Sequence, residues 1–144
     1  VDAIKNADAV IIGPGSLYTS IIPNLLVPGI KEALLNTKSV KIYICNIMTQ
    51  EGETDGYTVS EHLEAIFNHT GHRMVDYVIA NNKLPSDEVL KRYESEKAYP
   101  VKIDREKIAG MGVTLIQGKL FADGPYIRHS PEQLAKMIMK IIIV

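Results

Sequence analysis

"AVIIGPGSLYTSIIPNLL", Ala9 to Leu26, sets the fold class. Residues 9–12 are apolar without alternation, the pattern of a short strand covered on both faces. Gly13-Pro14-Gly15-Ser16 then stops the run. The residues after it have helical composition, interrupted by Pro23 and restarted at Pro28, where proline suits a first helical turn. A strand, a glycine turn and a helix form the first half of a β-α-β unit.

On the C-terminal side the alternation continues. "VKIYIC", residues 40–45, is rich in β-branched residues and reads as the next strand. A polar loop over 46–57 leads to a helix with a capping box at Thr58 and Glu61, its apolar Val59, Leu63, Ile66 and Phe67 sharing one face. A third strand is expected at 75–80. A helix capped by Ser86 covers roughly 87–96, an extended piece lies around Val101, and a helical turn comes after Asp104. Residues 113–117 read as a fourth strand. Gly118 and Asp123-Gly124 bracket an expected small antiparallel excursion, and Ser130-Pro131 opens the last helix, with Gln133 closing a second capping box. The upstream "VDAIKN" reads as a helix end. The expected class is α/β: a layered fold with a mainly parallel sheet. In such sheets ligands bind at the carboxyl ends of strands, which places the loops at 13–20, 46–57 and 81–86 on one candidate rim.

Composition narrows the partners. Sixteen Lys and Arg against 17 Asp and Glu leave a net charge of −1, which argues against a nucleic-acid surface. It still permits one small anion. A single cysteine, Cys45, cannot form an intrachain disulfide, and a reduced, cytoplasmic setting is the natural reading. No apolar run, the terminal Ile141-Ile142-Ile143-Val144 included, is long enough to cross a bilayer, so no membrane insertion is expected. The chain opens on Val1 in what reads as mid-fold, and the expectation is one α/β domain, residues 1–144, belonging to a longer chain.

Three clusters are candidate sites. Gly13 and Gly15 allow unusual φ and close backbone approach, while Ser16, Thr19 and Ser20 add hydroxyls at a helix start. That combination suits a phosphate or diphosphate, although it matches neither a Walker loop nor a GxGxxG fingerprint, and a plain strand-to-helix turn explains it as well. Asn46, Thr49, Gln50 and Thr54 could read a sugar or base by hydrogen bonds, or simply be solvated. Lys91-Arg92-Tyr93 and Tyr126-Ile127-Arg128-His129 each pair an aromatic with a guanidinium. Such pairs stack on bases and fork onto phosphates, but also serve as surface salt bridges and half-buried rings. His69 and His72, around Gly71, read as partners of a helix C-terminus rather than metal ligands.

Taken together, "ADAVIIGPGSLYTSIIPNLLVPGI", "KIYICNIMTQEGETDGYT" and "YIRHSPEQLA" resemble the YvcK-type gluconeogenesis factor family, relatives of the 2-phospho-L-lactate transferases of deazaflavin coenzyme synthesis. The resemblance implies a Rossmann-like fold and a UDP-sugar ligand, UDP-N-acetylglucosamine or UDP-glucose, with or without a magnesium ion. It implies a regulatory role in gluconeogenic growth and cell shape, the alternative being a phospholactyl transferase. By motif, Tyr93 in "KRYESE" and Arg128 in "YIRHS" correspond to the residues that contact the nucleotide sugar. Gly13, Gly15, Ser16, Tyr18, Thr19, Ser20, Asn46, Thr49 and Gln50 would complete the pocket. Family members open with a first strand and a "GGGTG" turn that nothing here matches, so the likeness is to a C-terminal portion. An exposed sheet edge and self-association, a homo-oligomer included, are the expected consequences.

Overall fold

The computed structural model describes residues 1–143. Four strands, β1 (Ala9–Ile12), β2 (Val40–Ile44), β3 (Tyr77–Asn81) and β4 (Thr114–Gly118), lie side by side in that order, each parallel to the next. Helix α1 (Asp2–Asn6) precedes β1. Between β1 and β2 a π-helical turn, Leu17–Ile21, runs directly into α2 (Ile22–Leu25), and α3 (Ile30–Asn36) comes next. Helix α4 (Val59–Thr70) joins β2 to β3, α5 (Asp87–Ser95) and α6 (Arg105–Gly110) join β3 to β4, and α7 (Pro131–Ile143) ends the fold.

Strand order explains the layering. When successive parallel strands add in one direction, right-handed crossovers all fall on the same face of the sheet. Val10, Ile12, Tyr43, Cys45, Val78 and Ala80 accordingly pack with Leu25, Leu34, Leu63, Ile66 and Ile108 from the connecting helices. Ile42, Ile44 and Ile79 point the other way, onto Leu120 and Phe121 and onto Leu134, Met137, Ile138 and Ile141 of α7. That second face therefore depends on one helix and one irregular segment. At the β1 edge the cover ends, and Ile11 stays 39% exposed.

The caps follow from the sequence. Thr58 caps α4 by accepting from the Glu61 amide, and Ser86 caps α5 through Val89 N–H. Gly71, at φ 78°, ends α4 with its N–H on the Phe67 carbonyl. Asp104 reaches across to α4, accepting from the Ser60 amide (2.9 Å) and the Thr58 hydroxyl (2.8 Å). Burial raises the Asp104 carboxyl's proton affinity, but these bonds outweigh it and hold the group below the usual carboxylate value.

Two expectations need correction. Helix α3 starts at Ile30 rather than Pro28, because Gly29 takes φ 89° and gives its N–H to the Glu32 carboxylate. The antiparallel excursion near the C-terminus does not form. Leu120 N–H goes to the Asn81 side chain and Ile127 N–H to the Tyr93 hydroxyl, so side chains take the places a second strand would fill. Leu120 and Phe121 meanwhile sink into the core. An antiparallel bridge occurs elsewhere, between Met48 and Pro100.

Candidate functional site

A cavity of about 450 Å³ opens beyond the carboxyl end of β2. Its floor is the loop that β2 releases. Val101 N–H bonds to the Ile47 carbonyl (2.9 Å), Thr49 N–H to Tyr99 O (2.7 Å), and Tyr99 N–H to Thr49 Oγ1 (3.0 Å). These bonds hold 47–49 against 99–101 as a ribbon. Buried Thr54 then folds the loop back, its hydroxyl accepting from Gln50 N–H at 2.9 Å.

Helix α5 and a strap over 119–130 make the opposite wall. The Tyr93 hydroxyl accepts from Ile127 N–H at 2.9 Å, and the Arg92 guanidinium lies 5.0 Å from the Tyr126 ring and 5.6 Å from that of Tyr93. His129 places Nε2 3.3 Å from the Cys45 carbonyl. Burial pushes its imidazole below the ordinary value, with the carbonyl bond opposing in part, so the ring is neutral near pH 7. Cys45 itself is buried and its thiol is driven far up by burial, which rules it out as a nucleophile at neutral pH.

The four sequence candidates Asn46, Thr49, Gln50 and Tyr93 all line this cavity. Their availability differs. Thr49 is buried in the ribbon, whereas Asn46 spends only Nδ2, on Gly15 O at 3.0 Å, and keeps Oδ1 free. Gln50 is exposed. Arg128 is exposed and lies off the wall, which its neighbours Ile127 and His129 form instead.

The glycine turn is placed differently. Gly13 and Ser20 border a separate apolar cleft of about 210 Å³ along β1. Gly13 sits at φ 87°, and a Cβ there would stand 3.0 Å from the Ile44 carbonyl. The Ser16 carbonyl accepts from both Ser20 and Ile21, closing the π-helical turn. Tyr18 N–H, one of the amides expected to meet an anion, is held by Glu53 Oε1 at 2.8 Å. Its hydroxyl bonds Tyr57 at 2.7 Å, which together with burial pushes Tyr18 up to about 12. Gly15 touches the cavity's wall through Asn46; Ser16, Tyr18 and Thr19 do not line it.

Cavity electrostatics are acidic to neutral. Glu51, paired with Lys97 at 3.4 Å, and Glu96 both border it. Among the described residues no group of three or more His, Cys, Asp and Glu side chains gathers in a metal-holding arrangement. Carboxylates, amides and a neutral imidazole suit hydroxyls and the N–H edges of a heterocycle better than a bare phosphate.

Comparison with known proteins bears on this arrangement. A family model described as 2-phospho-L-lactate transferase CofD matches residues 1–121. The chain belongs to that family. Proteins named gluconeogenesis factor from Halalkalibacterium halodurans and Bacillus subtilis are 45% and 41% identical over 97% and 99% of this chain. A crystal structure of a UPF0052 family member from Bacillus halodurans superposes with a TM-score of 0.93 at 46% identity over 96% of this chain. The chain spans under half the length of these relatives, 44%, 45% and 44% respectively, and matches their C-terminal portion.

Within this CofD-family domain, seven of the eleven lining residues were not candidates: Ile47, Met48, Glu51, Glu96, Ala98, Ile127 and His129. Met48 and Glu51 fall inside a loop already singled out. Glu96 and Ala98 come after α5 with no signal of their own, and the Ile127 and His129 positions depend on the strap's docking.

Proposed function

We propose that this CofD-family domain contributes the nucleotide-sugar-binding cavity of a regulatory factor acting in the cytoplasm, one that supports growth on gluconeogenic carbon and normal cell shape. The ligand is a UDP-sugar, UDP-N-acetylglucosamine or UDP-glucose. The observation that carries this reading is the convergence of Asn46, Gln50, Tyr93 and His129 on one cavity at the carboxyl end of β2. Asn46 Oδ1, Gln50 and the two glutamates address the base and sugar hydroxyls. The diphosphate lies at the mouth, between Arg128 and the glycine turn that Asn46 ties to the wall. A magnesium ion, where present, arrives with the diphosphate. Ligand level is signalled through the strap, whose docking on Tyr93 helps shape the cavity.

Calorimetric titration of UDP-N-acetylglucosamine into the full-length protein tests the proposal. Saturable binding that Asn46→Ala and Gln50→Ala each weaken about tenfold supports it. Binding unaffected by either substitution removes the cavity from consideration. The family description supports a second reading, transfer of a phospholactyl group from a nucleotide-linked donor. Turnover of such a donor by the full-length protein would establish that reading in place of a purely regulatory role.

A further inference from the structure

A second cavity, of about 670 Å³, lies at the carboxyl ends of β3 and β4, bordered by Tyr99 and Pro100. It draws on the third rim loop, through Asn82, Lys83 and Leu84, and nothing in the nucleotide-sugar reading uses it. Its lining is of two kinds. Leu84, Leu90, Tyr99 and Ile103 make an apolar surface, with Leu84 75% and Tyr99 47% exposed. Leaving so much apolar side chain in water within one concave patch marks a surface that something covers.

The polar remainder indicates what covers it. Lys83 is committed, to Asp123 at 2.9 Å and the Phe121 carbonyl at 3.1 Å. Lys102 and Arg105 also border the cavity and enter no ion pair among the described residues. Their backbone is fixed: the Lys102 carbonyl accepts from Val59 N–H at 3.0 Å, and Asp104, beside Arg105, is anchored on the start of α4. Gln117, on β4, reaches the same cavity, and its side-chain Oε1 is buried with no hydrogen-bond partner.

We propose that this second cavity binds an aromatic organic anion, its flat apolar body against Leu84 and Tyr99 and its phosphate or carboxylate on Lys102 and Arg105. The volume falls within the range of small-molecule pockets, roughly 300–1,000 Å³. Two unpaired cations match one singly or doubly charged group and are too few for a polyanion. A bare inorganic anion would leave the apolar lining uncovered.

The test titrates 2-naphthyl phosphate into the full-length protein by calorimetry, with 2-naphthol and inorganic phosphate as controls. Saturable single-site binding is expected, at least about tenfold weaker for each control. The K102Q/R105Q double variant loses about tenfold in affinity, and Leu84→Ser loses several-fold, with unchanged thermal unfolding since all three side chains are exposed. UDP-N-acetylglucosamine does not compete, so the two cavities are read independently. Naphthol binding as tightly as its phosphate ester, an unaffected K102Q/R105Q variant, competition by the nucleotide sugar, or no saturable binding would each overturn the proposal.

Discussion

The turn after β1 and the loop after β2 leave the same rim, yet the fold uses them in opposite ways. The glycine turn spends part of its chemistry inside the fold. Gly13 makes room for the Ile44 carbonyl, Gly15 O accepts from Asn46, and the Tyr18 amide is already met by a carboxylate. The loop after β2 satisfies its backbone through the ribbon with 99–101 and turns Asn46, Gln50 and Glu51 toward an open cavity. A glycine-rich turn after a strand is thus a ligand cradle only when its amides are left over once the fold has been built.

The largest expected effect tests the structural side of this contrast. Gly13→Ala forces a side chain into positive φ and within 3.0 Å of a backbone oxygen. A loss of about 2–3 kcal/mol in urea unfolding is expected. A loss under about 0.5 kcal/mol would mean that the turn relaxes freely and is not held by packing.

Tyr93→Phe comes next, since it separates two roles of one ring. The hydroxyl holds the strap through Ile127 N–H, so its removal costs about 1 kcal/mol and loosens the cavity wall, with UDP-sugar affinity falling several-fold. A ring that only stacks on the ligand would tolerate phenylalanine, and unchanged affinity would show that.

Glu53→Gln probes the amide that the turn has given away. Stability falls by about 1 kcal/mol as a charge-assisted bond becomes a neutral one. On the proposed reading, which puts the diphosphate near the turn, affinity for a UDP-sugar rises by about threefold as one negative charge is removed. No change in affinity at low salt would place the diphosphate away from the turn.

The smallest effect concerns the joint between the two regions, where Tyr18 meets Tyr57 and Tyr57 packs edge-on against His62 at 5.7 Å. His62 is fully buried, with Nδ1 2.8 Å from the Thr58 carbonyl and Nε2 unpartnered. Burial lowers its proton affinity, opposed by the Thr58 carbonyl and by Glu61, Asp104 and Glu53. Above the unfolded value of about 6.5 the ring is neutral in both states and stability is complete. Below it the unfolded chain takes the proton first, so stability declines as pH falls. Urea midpoints between pH 7.5 and 5 should drop in the native protein and drop less in His62→Asn. Equal slopes would assign the decline to other groups, His129 among them.

Much of this was legible in the sequence because it depends on near neighbours. Apolar runs ending at turns gave four strands within two residues of their observed ends, and Thr58, Ser86 and Ser130 marked helix starts through bonds to amides three residues away. Asn46, Thr49, Gln50 and Tyr93, singled out from their motifs, meet at one cavity. The antiparallel excursion was misread because turn signals at Gly118 and Asp123-Gly124 say where a chain bends, not what it then pairs with.

The parallel α/β class, the rim and the short list of polar loops were thus written along the chain, because periodicity and capping are local. Which of those polar groups remain available was settled by packing alone. Glu53 meets Tyr18 across 35 positions, Tyr93 meets Ile127 across 34, and Thr49 meets Tyr99 across 50. A donor's partner at such separations is set by how the layers close, because every buried polar group takes whatever the packed fold brings within about 3 Å.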